Sequence, residues 1–183
     1  METGFKQLTD FLVQLGTDQV SHTSKSYLAH VIGVYRYCKA RGCDEELARA
    51  GMFHSIYGTE LFQRFSLPLE QRAAVRGLIG ERAERLAYLN CAMDPPSFDR
   101  ALARADGPYR FRDRFTGAEV ELAAGDFDDL CRIHLYDWLE QVGRSGRWDY
   151  RHDAYRRMAE RLGGVAKEAY DSVFARGHAA PAL

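Results

Sequence analysis

Apolar residues recur along this chain at intervals of three and four far more often than at alternate positions, and that period predicts a predominantly α-helical protein of six or seven helices. The first runs from about Phe5 to Leu15 and stops near Gly16. A second covers about Thr23 to Ala40, with Tyr27, Val31, Val34 and Cys38 on one face and Gly42 beyond its end. A third extends from Glu45 to about Ser55, introduced by Asp44 as N-cap and by two acids that suit the helix dipole. A fourth begins near Pro68 and continues to Asp94, where Pro95 and Pro96 end it.

The period then changes. In "YRFRDRFTGAEVEL", alternation on either side of Thr116-Gly117 predicts a short β-hairpin near residues 109–122. Helix resumes from about Asp126 to Gly143, followed by helices at about Asp153–Leu162 and Val165–Ala175. Residues 1–176 therefore read as one helical domain, and the tail "GHAAPAL", 177–183, as disordered.

A length of 183 residues suits a single domain with a substantial core. Its 25 basic and 26 acidic residues are mixed along the chain for a net charge of -1, which offers no footprint for nucleic acid or an anionic membrane. A small-molecule substrate or another protein is the expected ligand. The four cysteines form no CxxC pair and no zinc-knuckle spacing, so reduced thiols are expected. With neither a signal-like N-terminus nor a long apolar run, the expected location is cytoplasmic.

Polar groups inside apolar stripes carry the candidate chemistry. His30 belongs to the stripe of Tyr27, Val31, Val34 and Cys38, and His54 follows Leu47, Ala50 and Gly51 on an inward face. Leu130, Ile133, His134, Asp137, Trp138 and Gln141 share one face of the late helix, which sets an imidazole and a carboxylate among large apolar groups. A buried carboxylate requires a cation, a metal or strong hydrogen bonds. His30, His54 and Asp137, on three helices, are the residue types that converge on one divalent transition metal. Each also has a plainer reading, as a hydrogen-bonded core histidine or a helix-capping aspartate.

His134 is a candidate fourth ligand or orienting residue, and His22 a candidate at the mouth of the second helix. His152, despite its literal His-Asp pairing with Asp153, sits among charges and reads as surface, as does His178. The aromatics Trp138, Trp148, Tyr136 and Phe127 read as core.

The residues "HVIGVYRYCKARG", "AGMFHSIYGTE", "IGERAERLAYLNC" and "DWLEQ" together resemble a small, functionally undescribed group of HD-like proteins, within the HD-domain superfamily of all-α metal-binding proteins. The resemblance spans about His22 to Leu162, and "FHSIYGTE" is its most specific part. It implies an HD-like helical bundle in which His30 corresponds to the first histidine, His54 to the histidine of the His-Asp pair and Asp137 to the distant aspartate. Where the superfamily carries the aspartate that often bridges two metals, this chain has Ser55.

What remains is a 2-His-1-carboxylate set of the kind that keeps positions open on Fe(II), so an iron-dependent oxidative reaction is expected slightly ahead of metal-dependent hydrolysis. Mn and Zn also suit these ligands. A degenerate scaffold serving as a non-catalytic binding module is the reading from outside enzymology. Tyr57, Thr59 and Glu60 follow His54 through a Gly58 turn; Tyr57 or Glu60 would transfer protons, or Thr59 and Glu60 would merely begin another helix. Glu84 follows Gly80 on a helix face and would either reach the pocket or pair with Arg82 or Arg85; Arg72 and Arg76 would recognise an anionic group or be solvated. Edge strands of the hairpin offer a means of homodimer pairing.

Overall fold

The computed structural model describes residues 4–179, with side chains through Gly177. Among these residues the protein is mainly helical, with nine α-helices and two small antiparallel hairpins. In chain order the elements are α1 (Phe5–Gln14), β1 (Ser21–His22), β2 (Lys25–Ser26), α2 (Tyr27–Lys39), α3 (Glu45–Met52), α4 (Arg72–Ile79), α5 (Glu81–Ala92), α6 (Pro95–Leu102), β3 (Tyr109–Arg112), β4 (Glu119–Leu122), α7 (Ala124–Ser145), α8 (His152–Leu162) and α9 (Gly164–Ala179). The centre is formed by α2, α3, α5 and α7, which pack on one another; α8 and α9 cover a further face of α7.

Local chemistry explains most boundaries. The Ser26 hydroxyl accepts the Ala29 N–H at the start of α2, and the Asp44 carboxylate accepts the Leu47 N–H at 2.7 Å to begin α3. The second expected helix starts four residues late because Thr23 and Ser24 take left-handed conformations and turn the β1–β2 hairpin. The third ends at Met52 rather than near Ser55, so His54 stands in the turn that follows.

The fourth expected helix is two helices. Gly80, at φ 96° and ψ 158°, breaks it into α4 and α5, a conformation that only glycine adopts without strain. Pro95 and Pro96 do more than stop α5. With Asp94 as N-cap they occupy the first positions of α6, where proline lacks no needed hydrogen bond. The hairpin falls where alternation places it, with Tyr109 opposite Leu122 and Arg112 opposite Glu119. At the other end α9 continues through Ala179, so the first part of the tail is helical rather than disordered; residues 180–183 and the side chain of His178 lie outside the described residues.

The four cysteines are buried, unpaired thiols. Among the described residues no helix is long and apolar enough to cross a membrane.

Candidate metal centre

His30 reaches the centre from the first turn of α2, His54 from the turn after α3, and Asp137 from the middle of α7. One ligand atom from each lies within 4.8 Å of the others, in a group that could hold a metal ion. His30 Nε2 is 3.0 Å and His54 Nε2 3.2 Å from the same oxygen, Asp137 Oδ1.

The second nitrogen of each imidazole fixes its tautomer. His54 Nδ1 lies 2.8 Å from the Gly51 carbonyl, and His30 Nδ1 lies 2.7 Å from Glu140 Oε2. Both partners are acceptors, so each Nδ1 carries a proton and each Nε2 of a neutral ring presents a lone pair. Two lone pairs and a carboxylate oxygen thus face one small volume. His30 Nε2 has no partner in hydrogen-bonding geometry although the side chain is fully buried. Such a cluster calls for a positive charge, supplied either by a proton or by a metal ion.

The titration behaviour has the same origin. Burial works against a charged His30, but the adjacent carboxylates of Asp137 and Glu140 outweigh it and raise its pKa. Burial likewise opposes ionisation of Asp137, yet His54 and His30 hold its carboxyl well below the usual range.

Surrounding groups orient these three. Glu140 holds His30 and Arg144 on Oε2 and Lys25 on Oε1, and these partners outweigh its burial and lower its pKa. It makes the carboxylate–histidine arrangement that fixes a ligand's ring and raises its basicity. Gly33 leaves the room for it: a Cβ there would lie 2.9 Å from Glu140 Cδ and closer still to Oε1. Gln141 donates from Nε2 to Asp137 Oδ1 at 2.9 Å, and its own oxygen accepts the Thr23 hydroxyl.

A cavity of about 460 Å³ opens beside the cluster, lined by His54 and Asp137 themselves. His22, Ser55, Thr59, Glu60 and His134 also line it. His22 stands in β1 rather than on a helix, with its ring stacked 4.2 Å from that of His30; burial and the His30 charge lower its pKa to about 4. Ser55 donates to the Tyr27 hydroxyl at 3.1 Å. The Thr59 hydroxyl accepts the Phe62 N–H in a turn, and Glu60 is exposed at the cavity. No helix starts at Thr59 or Glu60.

His134 has both nitrogens occupied away from the cluster. Arg151 donates to Nε2 at 2.8 Å, which leaves the proton on Nδ1, 3.2 Å from Asn90 Oδ1. Burial and the Arg151 charge push its pKa down to about 3, so it is a neutral spacer between Arg151 and Asn90. Asn90 in turn donates to the His54 carbonyl.

Tyr57 and Glu84 do not line the cavity. The Tyr57 hydroxyl donates to Glu84 Oε1 at 2.9 Å, and burial beside that carboxylate raises its pKa. Glu84 is paired with Arg72 rather than with Arg82 or Arg85, through contacts of 2.7 and 3.0 Å. These residues form a buried polar brace on the α4–α5 side. His152 meets the Tyr170 hydroxyl and does not line the cavity. Trp138 stacks on Tyr155 while one edge lines the cavity.

Sequence reasoning missed Glu140, Asn90 and Arg151. Glu140 had a usable signal, since it follows Asp137 by one helical turn. Arg151 had none, because a loop brings it to His134.

Fold and site together define a mainly helical protein with a buried His/His/Asp group able to hold a metal ion beside a cavity. A family model described as a domain of unknown function, DUF6817, matches residues 11–95, a segment that contains His30 and His54 but not Asp137. Neither a curated protein nor a solved structure matches the chain.

Proposed function

We propose that this protein is a metal-dependent enzyme of HD-like architecture, acting on a small molecule through one divalent transition metal held by His30, His54 and Asp137. The supporting observation is the fully buried His30 Nε2, which faces Asp137 without a hydrogen-bond partner while Glu140 holds the other ring nitrogen. A ligand set of two neutral imidazoles and one carboxylate suits a single Fe(II), which when bound supplies redox reactivity toward O2 with positions left for substrate. Ser55 supports a mononuclear site, because its hydroxyl is engaged with Tyr27 and brings no second carboxylate.

The chain's own residues have the remaining roles. Glu140 and Gly51 O hold the two imidazoles in the tautomer that ligates, and Gln141 orients Asp137. Glu60, at the cavity and open to water, is placed to exchange protons with a bound molecule. Trp138, Tyr155 and Phe62 give the cavity apolar lining.

Four arginines around the cavity favour a second reading, a metal-dependent phosphohydrolase in which Glu60 serves as the base. It predicts turnover of phosphomonoesters with Mn or Co and no need for O2. Elemental analysis of protein purified without oxygen decides first between enzyme and non-catalytic binding module. One iron per chain in the wild type and none in His54→Ala is the expected result, followed by substrate-dependent O2 uptake. Metal-free wild type would overturn both enzyme readings.

A further inference from the structure

We infer that the cavity beside His30, His54 and Asp137 recognises a small organic anion, a carboxylate or phosphate head on an apolar body, chiefly through the guanidinium of Arg151. This rests on the cavity being the substrate site proposed above. The chain carries a net charge of -1, yet Arg64, Arg144, Arg147 and Arg151 line this one cavity against the carboxylates of Glu60 and Asp137. Arg144 is committed to Glu140. Arg64 and Arg147 are exposed and have no carboxylate partner among the described residues.

Arg151 differs from these surface cations. Its backbone is in the left-handed region, φ 44° and ψ 33°, where a non-glycine residue is strained and such strain clusters at functional sites. Its side chain is only 12% exposed, and Asp99 clamps it through both Nε and Nη2. Nη1 donates to His134. Three of five N–H groups are thereby used, and the rest of this rigidly held fork borders the cavity beside the Tyr150 hydroxyl. His134 precedes Asp137 by about one turn of α7, so an anion on Arg151 lies next to the cluster rather than at a remote surface. Tyr150, Tyr155 and Trp138 line the same cavity and offer apolar area for the ligand's body.

The test is equilibrium binding of benzoate, phenyl phosphate and uncharged benzamide, on metal-free protein and on protein with one equivalent of Zn2+. Saturable binding of benzoate or phenyl phosphate to both forms, with benzamide at least about tenfold weaker, is expected. The tighter of the two anions identifies the head group. Arg151→Gly relieves the strained backbone while deleting the fork and should weaken the anion about tenfold or more. Should that variant lose its fold with the Asp99 and His134 contacts, Arg147→Gln, at an exposed position, should weaken the anion about threefold and flatten its salt dependence. Benzamide binding as tightly as benzoate, failure of both anions to bind, or affinity unchanged in the folded variants would overturn the inference. Anion binding by protein that takes up no metal would sink the proposed enzyme function and leave this recognition standing.

Discussion

Replacing Gly33 by alanine isolates the support that Glu140 gives to His30. In the middle of an exposed helix the change normally stabilises a protein by about 1 kcal/mol, since alanine is the better helix former. At Gly33 the new Cβ would stand 2.9 Å from Glu140 Cδ and nearer to Oε1, inside van der Waals contact. Glu140 cannot simply swing aside, because His30, Lys25 and Arg144 hold its two oxygens. Overpacking of this kind costs about 1 to 3 kcal/mol, so the net effect is a loss of about 0 to 2 kcal/mol. Displacing the carboxylate also frees the His30 ring, for which a tenfold to hundredfold loss of metal affinity is the typical consequence, about 1.4 to 2.8 kcal/mol. Gly77→Ala in α4 is the internal control, as nothing lies within 4 Å of a Cβ there. Urea unfolding of both variants, with a competitive metal titration of each, reads the two effects separately. If Gly33→Ala were stabilised as much as Gly77→Ala and bound metal like the wild type, the support assigned to Glu140 would be refuted.

Removing Arg72 tests the brace on the other side of the core. Glu84 is 1% exposed, and Arg72→Ala leaves its carboxylate with the Tyr57 hydroxyl and with Arg76 at 3.8 Å; unfolding should show a loss of about 2 to 3 kcal/mol with metal binding intact, and a loss of metal instead would place the brace in the site. His134 gives a pH dependence. Its pKa falls from 6.5 to about 3 on folding, so between those values the unfolded chain binds a proton that the native one does not, and stability falls as pH falls. From pH 7 to pH 5 this amounts to about 2 kcal/mol, which His134→Gln should recover in urea midpoints measured at both values; equal acid losses in the two proteins would contradict it.

The amino-acid pattern determined the helical class, the hairpin and the inward faces that carry His30 and Asp137, because burial of a stripe at helical spacing is a local property of the sequence; His54 stands in the turn past the end of its stripe, where only the tertiary structure decided its direction. The same spacing could not show that Gly80 splits one periodic stretch into two helices, since a positive φ leaves the apolar period on either side intact. Nor could it show that Pro95 and Pro96 open a helix: the residues that end one element are the residues that suit the first turn of the next. Tyr57 and Glu84 illustrate the limit at the site. Both were reasonable pocket residues from their neighbours in sequence, but the packing of α4 against α5 puts Arg72 within reach of Glu84, and the pair turns away from the cavity. Pairing of buried and half-buried polar groups was decided only by tertiary structure. Arg151 meets His134, Lys25 meets Glu140 and Thr23 meets Gln141 across long stretches of chain, where hydrogen-bond geometry selects one partner among many residues of the right type.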